Sequence, residues 1–228
     1  MLAGITSYNA STPIILIMKV AVLGGTGSFG GGLALRLADA GHDVAVGSRS
    51  ASEAREACES YAEKTDTGLS GAENADAVDG ADVAVLAVPP AYAAETARET
   101  LGGFDGTVLT PVVGMSREDG DFVYTPPDEG SFAEEVRGAL DDDVPLAGAF
   151  HSLAAGKLRN LDAGIDADIA VFGDDEAKEP AVELVESVGA RPLDVGGFGV
   201  APQVEALTPL LINVGAKNGI KDAGVRFV

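Results

Sequence analysis

The chain has 228 residues, enough for one nucleotide-binding domain and a smaller appended region but not for two large domains. Its 36 Asp and Glu outnumber 15 Lys and Arg, for a formal net charge of −21, which makes nucleic acid and anionic membrane poor partners for the surface as a whole. Hydrophobic residues make up 46%, aromatics only 5%, and Trp is absent; the core must be built from Ala, Val, Leu and Ile, as suits a parallel sheet covered on both faces by helices.

The acids, among them Glu53, Glu56, Glu59, Asp141 and Glu176, are scattered rather than gathered into a tail. An acidic surface poor in Lys is expected of a protein of a high-salt cytosol, where screening over a few ångströms removes self-repulsion. Residues 1–17 have no basic leader, and the apolar run Ile14-Ile15-Leu16-Ile17 is too short for a signal segment or a membrane span. Because Met18-Lys19-Val20 is a natural start for a first strand, residues 1–17 are expected to be a non-native or disordered extension of a soluble, cytoplasmic protein. The single cysteine, Cys58, has helical surroundings and reads as a small buried hydrophobe.

The first strand, Lys19-Val20-Ala21-Val22-Leu23, runs into Gly24-Gly25-Thr26-Gly27-Ser28-Phe29-Gly30-Gly31-Gly32 and a helix over 33–40. Gly25, Gly27 and Gly30 fit the spacing G-x-G-x-x-G. In that pattern the first glycine makes the tight turn, the second lets a pyrophosphate touch backbone, and the third lets helix and strand pack closely. Unpaired N–H groups at the helix start then face the anion. A second strand over 43–47 completes a βαβ start, so the chain reads as a dinucleotide binder of the Rossmann type. About twenty residues past the glycines, where an Asp or Glu would hold a ribose 2′-hydroxyl, stands Ser48-Arg49. A guanidinium fork grips a phosphate and a hydroxyl donates to it, so NADP is expected over NAD.

A helix over 51–64 follows, then a polar stretch over 65–80 with one short strand or turn. Asp82-Val83-Ala84-Val85-Leu86-Ala87-Val88 is an apolar strand that Pro89-Pro90 ends. Ligands of doubly wound sheets sit outside such carboxyl ends, which makes Val88, Pro89 and Tyr92 candidate cofactor contacts, with ordinary strand-to-helix packing the alternative. After a helix over 91–101 and a strand over 107–110, the apolar loop Pro111-Val112-Val113-Gly114-Met115-Ser116 suits a flat ring ligand. Ser131 N-caps a helix over 131–140 with Glu134 and Glu135 early in it. A strand over 144–150 then delivers His151.

Of the two histidines, His42 falls in a surface turn, whereas His151 stands in line with the other edge loops, as a ligand contact or a loop-fixing residue. Lys157 and Arg159 either hold an anionic substrate tail or lie on a solvated helix face. The last region reads as a strand over 168–173, a helix over 175–188, a strand over 190–195, a glycine break and a long C-terminal helix. Val200, Val204, Leu207, Leu211 and Val214 form one stripe of that helix, a candidate homodimer surface. Pro209 should kink it and free a carbonyl near Glu205, leaving the Thr208 hydroxyl for a ligand or for the backbone. The expected fold is α/β: a doubly wound, mostly parallel sheet with a small C-terminal α/β region and a long C-terminal helix. Residues 18–150 would hold NADP, and 151–228 would complete the cofactor cleft.

No nucleophile elbow, no metal-spaced His/Cys/Glu cluster and no P-loop occurs. Nor is there a Lys or His with a neighbouring carboxylate to shuttle a proton, as reduction of a keto acid or imine would need. Hydride exchange between two ring cofactors needs none; it needs two planar rings aligned in an apolar cleft.

From Met18 onward the chain resembles the archaeal NADPH-dependent oxidoreductases of the deazaflavin coenzyme F420. The resemblance is carried by residues 20–30, Val46-Gly47-Ser48-Arg49, residues 82–89, His151-Ser152-Leu153-Ala154-Ala155, Arg191-Pro192-Leu193-Asp194, Leu207-Thr208-Pro209-Leu210 and the closing Gly224-Val225-Arg226-Phe227. It implies that Thr26, Gly27, Ser28, Phe29, Ser48 and Arg49 bind NADP, and that His151, Leu153, Ala155 and Thr208 surround the stacked nicotinamide and deazaflavin rings, between whose C4 and C5 atoms hydride passes. The chain departs from the family pattern in two places: Pro90-Ala91-Tyr92 replaces a Trp-Glu-His run, and Glu53 stands where a basic residue is expected. Two other readings stay open, an NADP-dependent dehydrogenase or imine reductase of a small metabolite and a non-catalytic NADP-sensing domain. A charged hydrogen bond is worth about 1.5–3 kcal/mol, so Arg49→Ala should weaken NADPH binding by about tenfold or more and leave NADH nearly unchanged; equal losses in a fluorescence titration would refute the assignment.

Overall fold

In the computed structural model, residues 16–65 and 68–228 are described. The expected extension over 1–17 lies outside them except for Leu16 and Ile17, which are exposed. The elements are β1 (Lys19–Leu23), α1 (Ser28–Asp39), β2 (Asp43–Ser48), α2 (Ala51–Ala62), β3 (Leu69–Glu73), α3 (Asn74–Ala77), β4 (Val83–Leu86), α4 (Ala93–Thr100), β5 (Thr107–Thr110), β6 (Met115–Glu118), β7 (Asp121–Tyr124), α5 (Phe132–Arg137), β8 (Leu146–Gly148), α6 (Ala155–Arg159), β9 (Asp168–Gly173), α7 (Asp175–Ser187), β10 (Arg191–Gly196), α8 (Ala201–Glu205) and α9 (Leu207–Asn218).

Eight strands form one sheet in the order β10-β9-β8-β5-β4-β1-β2-β3. Every pairing is parallel except β8 with β9, which is antiparallel: after β8 the chain passes through α6 and enters β9 from the carboxyl edge of the sheet. β1 alternates between two cores: Val20 and Val22 pack with Leu33, Leu37 and Val44 on one face, and Ala21 and Leu23 with Ala77, Ala93 and Ala97 on the other. Burial on both faces is why this strand is apolar at every position after Lys19. The chain leaves β1 toward β2 and β3 on one side and resumes with β4 on the other, so the topological switch lies between β1 and β4, where such sheets bind ligands. The doubly wound α/β expectation holds, and Cys58 is a buried free thiol. Among the described residues, no helix is long and apolar enough to cross a membrane.

Several local expectations are corrected. α1 starts at Ser28, not at residue 33, and Gly30, Gly31 and Gly32 lie inside it despite their poor helix propensity, because other groups occupy the space of their missing side chains. A Cβ on Gly30 would stand 2.6 Å from the Gly24 carbonyl, one on Gly31 would fall on the Tyr61 hydroxyl, and one on Gly32 would stand 2.9 Å from Leu158 Cβ. The tight turn belongs to Gly24, with φ +74°, and not to Gly25. His42 is not in a solvated turn: it is buried, and its Nδ1 accepts the Met18 N–H at 3.2 Å. The segment after Gly114 is not a plain loop but the hairpin β6–β7, which closes on Asp119 (φ 49°) and Gly120 (φ 94°), the two positive values that a type I′ turn requires. The C-terminal helix is two helices broken at Ala206, and Pro209 sits third in α9, within the first turn, where an N–H has no intrahelical partner to lose.

Gly31→Ala tests this packing account. Helix propensity alone favours alanine by about 1 kcal/mol, while overpacking costs about 1–3 kcal/mol; with the intruding methyl on the Tyr61 hydroxyl, a net loss of about 1–2 kcal/mol in denaturant unfolding is expected. Tyr61→Phe in the same chain should restore part of it, and a stabilised Gly31→Ala protein would contradict the packing.

Candidate active site

The carboxyl ends of β1, β2, β4, β5 and β8 open onto two adjoining clefts. The larger, of about 450 Å³, is walled by the glycine turn, by Ser48 and Arg49 beyond β2, and by Val88, Pro89 and Tyr92 beyond β4. The smaller, of about 200 Å³, is apolar and runs between Pro111-Val112-Val113, Met115, Phe150, His151, Leu153 and Thr208. Phe29, Ala87 and Val88 line both, so the two spaces meet at the switch point.

The glycine turn is built so that its amides face the larger cleft. Gly25 N–H is consumed by the Gly47 carbonyl at 2.9 Å and Gly27 N–H by the Gly24 carbonyl at 3.0 Å, and the first bond inside α1 runs from Gly31 N–H to Gly27 O at 2.9 Å. The first-turn amides of Ser28, Phe29 and Gly30 have no intrahelical acceptor, and all three residues line the cleft. Unpaired amides at the positive end of a helix make an anion site. The carbonyls on the far side are held from behind: Tyr61 Oη donates to Gly25 O at 3.1 Å, and Arg159 donates to Ser28 O at 3.0 Å and Gly27 O at 3.3 Å. Buried Arg36 donates to the carbonyls of Lys157 at 2.8 Å, Asn160 at 2.5 Å and Ala163 at 3.2 Å, closing the end of α6.

At the ribose end Ser48 is buried, and the Arg49 guanidinium lies 5.9 Å above the Tyr92 ring. Ser48 Oγ donates to Glu53 Oε2 at 3.2 Å. In the smaller cleft Phe150 takes φ +68°, a left-handed conformation that costs an aromatic residue on the order of 1–2 kcal/mol and aims the chain so that His151 borders the cavity. His151 stacks on Phe172 with ring centroids 5.6 Å apart. Neither ring nitrogen has a hydrogen-bond partner among the described residues, which leaves a buried donor and acceptor available to a polar group on a ring ligand. Thr208 Oγ1 donates to the His151 carbonyl at 2.6 Å, so the first turn of α9 anchors the His151 loop.

Of the residues singled out from sequence, Thr26, Gly27, Ser28, Phe29, Ser48, Arg49, Val88, Pro89 and Tyr92 come together around the larger cleft, and His151, Leu153 and Thr208 around the smaller. Gly25 and Ala155 line neither; Gly25 packs beneath the turn and Ala155 stands on α6 with its carbonyl against Gly32. Lys157 lines neither cleft, and Arg159 donates to the glycine turn. Asn74, which accepts the Gly24 N–H at 3.4 Å, and the struts Tyr61, Arg36 and Arg159 carried no signal in sequence, since each acts on a backbone atom at least 36 positions away.

Residues 19–110 match the family described as NADP oxidoreductase coenzyme F420-dependent. The F420-dependent NADP reductase of Methanothermobacter marburgensis is 38% identical over 92% of this chain and 98% of its own, and that of Methanocaldococcus jannaschii is 35% identical over 92% and 98%. The chain belongs to the F420-dependent NADP reductase family. In fold it is similar to a crystal structure of a provisionally assigned F420-dependent NADP reductase from Arthrobacter sp. FB24, with a TM-score of 0.76 at 23% identity over 92% of this chain and 99% of that one.

In this member of the reductase family the smaller cleft is lined mostly by apolar side chains, and His151 is its one ionisable side chain. Burial drives the His151 pKa down to about 3, so the imidazole is neutral throughout the working range and is no proton donor of the usual kind. Unfolded, the ring protonates near 6.5; its neutrality therefore contributes stability that is complete above that pH and is lost as pH falls toward about 3. Wild-type stability should fall relative to His151→Gln by up to about 1.4 kcal/mol per pH unit across that window, measured by urea unfolding. Parallel pH profiles of the two proteins would refute a buried neutral His151.

Proposed function

We propose that the chain transfers hydride between NADP(H) and coenzyme F420, with the nicotinamide dinucleotide along the larger cleft and the deazaflavin ring in the smaller one. The observation that carries this reading is the meeting of an amide-lined cleft and an apolar cleft at Phe29, Ala87 and Val88, with no acid–base pair among the described residues that line either. The relatives named for this reaction support it. When bound, the two rings supply all of the chemistry, since hydride leaves one carbon and arrives at the other.

The chain's own residues bind and align. The amides of Ser28, Phe29 and Gly30 take the pyrophosphate. Ser48, Arg49 and Tyr92 hold the adenosine end, with Arg49 paired to the 2′-phosphate, and Val88 and Pro89 border the dinucleotide. His151, Leu153 and Thr208 bound the second ring, His151 presenting a neutral nitrogen to a ring polar group while the apolar walls exclude water. Orientation of this kind supplies several kcal/mol of the barrier lowering, roughly 7–11 at its limit. Residues 18–150 thus serve the dinucleotide and 151–228 complete the second cleft. The acidic surface suits a cytoplasm of high salt, with neither nucleic acid nor membrane as a partner. A homodimer through α9 is supported by the exposed Leu210 and Ile212, and not by the expected stripe as a whole, whose Val204 is buried in a cluster with Phe172 and Ala201.

Mixing the protein with NADPH and oxidised F420 should bleach the deazaflavin absorbance on a catalytic timescale. NADPH binding without turnover would leave only a sensing role, and turnover confined to a keto acid or an imine would replace this reading with a metabolite reductase.

A further inference from the structure

The ribose end of the larger cleft contains a carboxylate that hydride exchange does not need. Glu53, the third residue of α2, lines the same wall as Ser48 and Arg49. An acid at this helix position ordinarily reaches back to the N–H of the capping residue. Here the capping Ser50 gives its N–H to Ser48 Oγ instead, at 3.4 Å, and Glu53 Oε2 lies 3.2 Å from the same Ser48 hydroxyl. The carboxylate therefore reaches into the cofactor subsite rather than completing the cap, and it occupies the one proton that Ser48 has to offer. The adjoining cavity, which shares Ser48, Arg49 and Tyr92, is bordered by Glu73, Glu95 and Glu99. Among the described residues lining these two cavities, Arg49 is the only cation and stands among four carboxylates.

A carboxylate and a guanidinium at one subsite recognise different riboses. A 2′-hydroxyl donates to a carboxylate, whereas a 2′-phosphate carries roughly 1.5 to 2 negative charges and is repelled by it. The fork contact with Arg49 is made at hydrogen-bond distance, while Glu73, Glu95 and Glu99 act on the phosphate through the surrounding solvent. Salt shortens the reach of such fields from about 10 Å at 0.1 M to about 3 Å at 1 M, so it removes the repulsion faster than the contact.

We propose that Glu53 is a specificity-determining residue of the cofactor subsite: its carboxylate holds Ser48 away from a 2′-phosphate and accepts a ribose 2′-hydroxyl, so that the chain binds NADH as well as NADPH and gains preference for NADPH as salt rises. This rests on the reading that the larger cleft holds a nicotinamide dinucleotide, and it does not depend on F420. Arg49 and Glu53 thereby set opposite ends of one scale, Arg49 favouring the phosphate and Glu53 the hydroxyl.

The test is a fluorescence titration of the full chain with NADPH and, separately, NADH, without F420, at about 0.1 M and about 2 M KCl, for the wild type, Glu53→Gln and Glu53→Lys. At low salt the wild type should bind the two cofactors within about tenfold of each other, and Glu53→Gln should tighten NADPH by about fivefold to tenfold without tightening NADH. Glu53→Lys should go further in the same direction. The wild-type NADPH preference should rise at high salt, and that of Glu53→Lys should fall. A role confined to helix capping would shift both cofactors equally in Glu53→Gln and leave the salt trend unchanged, which would overturn the proposal, as would a wild-type preference for NADPH that falls with salt. The expected Kd pattern in a protein that fails to reduce F420 would refute the hydride-exchange reading and leave Glu53 in its role; F420 turnover with a cofactor ratio indifferent to Glu53 would do the reverse.

Discussion

The cofactor end of this protein depends on how closely backbone approaches backbone at Gly24. Its carbonyl accepts the Gly27 N–H and lies against Gly30, its N–H is accepted by Asn74, and its φ of +74° turns the chain from β1 into α1. A side chain at Gly24 would stand 2.7 Å from the Ala87 carbonyl, and one at Gly30 2.6 Å from Gly24 O. The N-terminus of α1 can sit over the end of β1, beside the residues that follow β4, only because these positions carry no Cβ. The positive end of that helix opens onto the larger cleft, the arrangement an anion site requires.

This arrangement answers a difficulty set by composition. A chain of net charge −21 repels the dinucleotide it has to bind, and few of its cations face the cleft. Arg36 and Arg159 bond backbone carbonyls of α6, the loop after it and the glycine turn. Those bonds engage both guanidiniums, and the larger cleft is left with oriented amides and Arg49. Amides suit this task in salt, because contacts at hydrogen-bond distance outlast long-range fields.

The second cleft is assembled from parts far apart in the chain. Glu205, fully buried, accepts the Tyr124 hydroxyl at 2.6 Å and the amides of Phe132 and Ala133 at 3.0 Å each, tying α8 to the hairpin β6–β7 and to the start of α5. Burial raises its pKa, and the three donors oppose that rise. Asn213 of α9 clasps both backbone groups of Phe122 at 2.9 and 2.7 Å. The hairpin, which brings Met115 to the smaller cleft, and α9, which brings Thr208, are thus fixed to each other before either meets a ligand. Thr208 then holds His151 from the opposite wall.

The sheet, its parallel character, the place of Ser48-Arg49 at the larger cleft and the position of His151 after a strand were all legible in the sequence, because each rests on local rules: apolar runs buried on two faces, glycine spacing, and the polarity of a strand end. The same local reading put α1 five residues late and His42 in solvent, since neither the Tyr61 and Leu158 packed on Gly31 and Gly32 nor the Met18 N–H over His42 is near in sequence. Glu53 could be seen as an acid near the ribose end, but its hold on Ser48 depends on how α2 starts against the end of β2. Sequence by itself determined the fold class, the dinucleotide turn and the family. Only the tertiary structure decided which glycine makes the turn, which arginines brace backbone and which lines the cleft, and that Thr208 secures the His151 loop, because those depend on contacts across 50 to 132 residues of chain that no local pattern encodes.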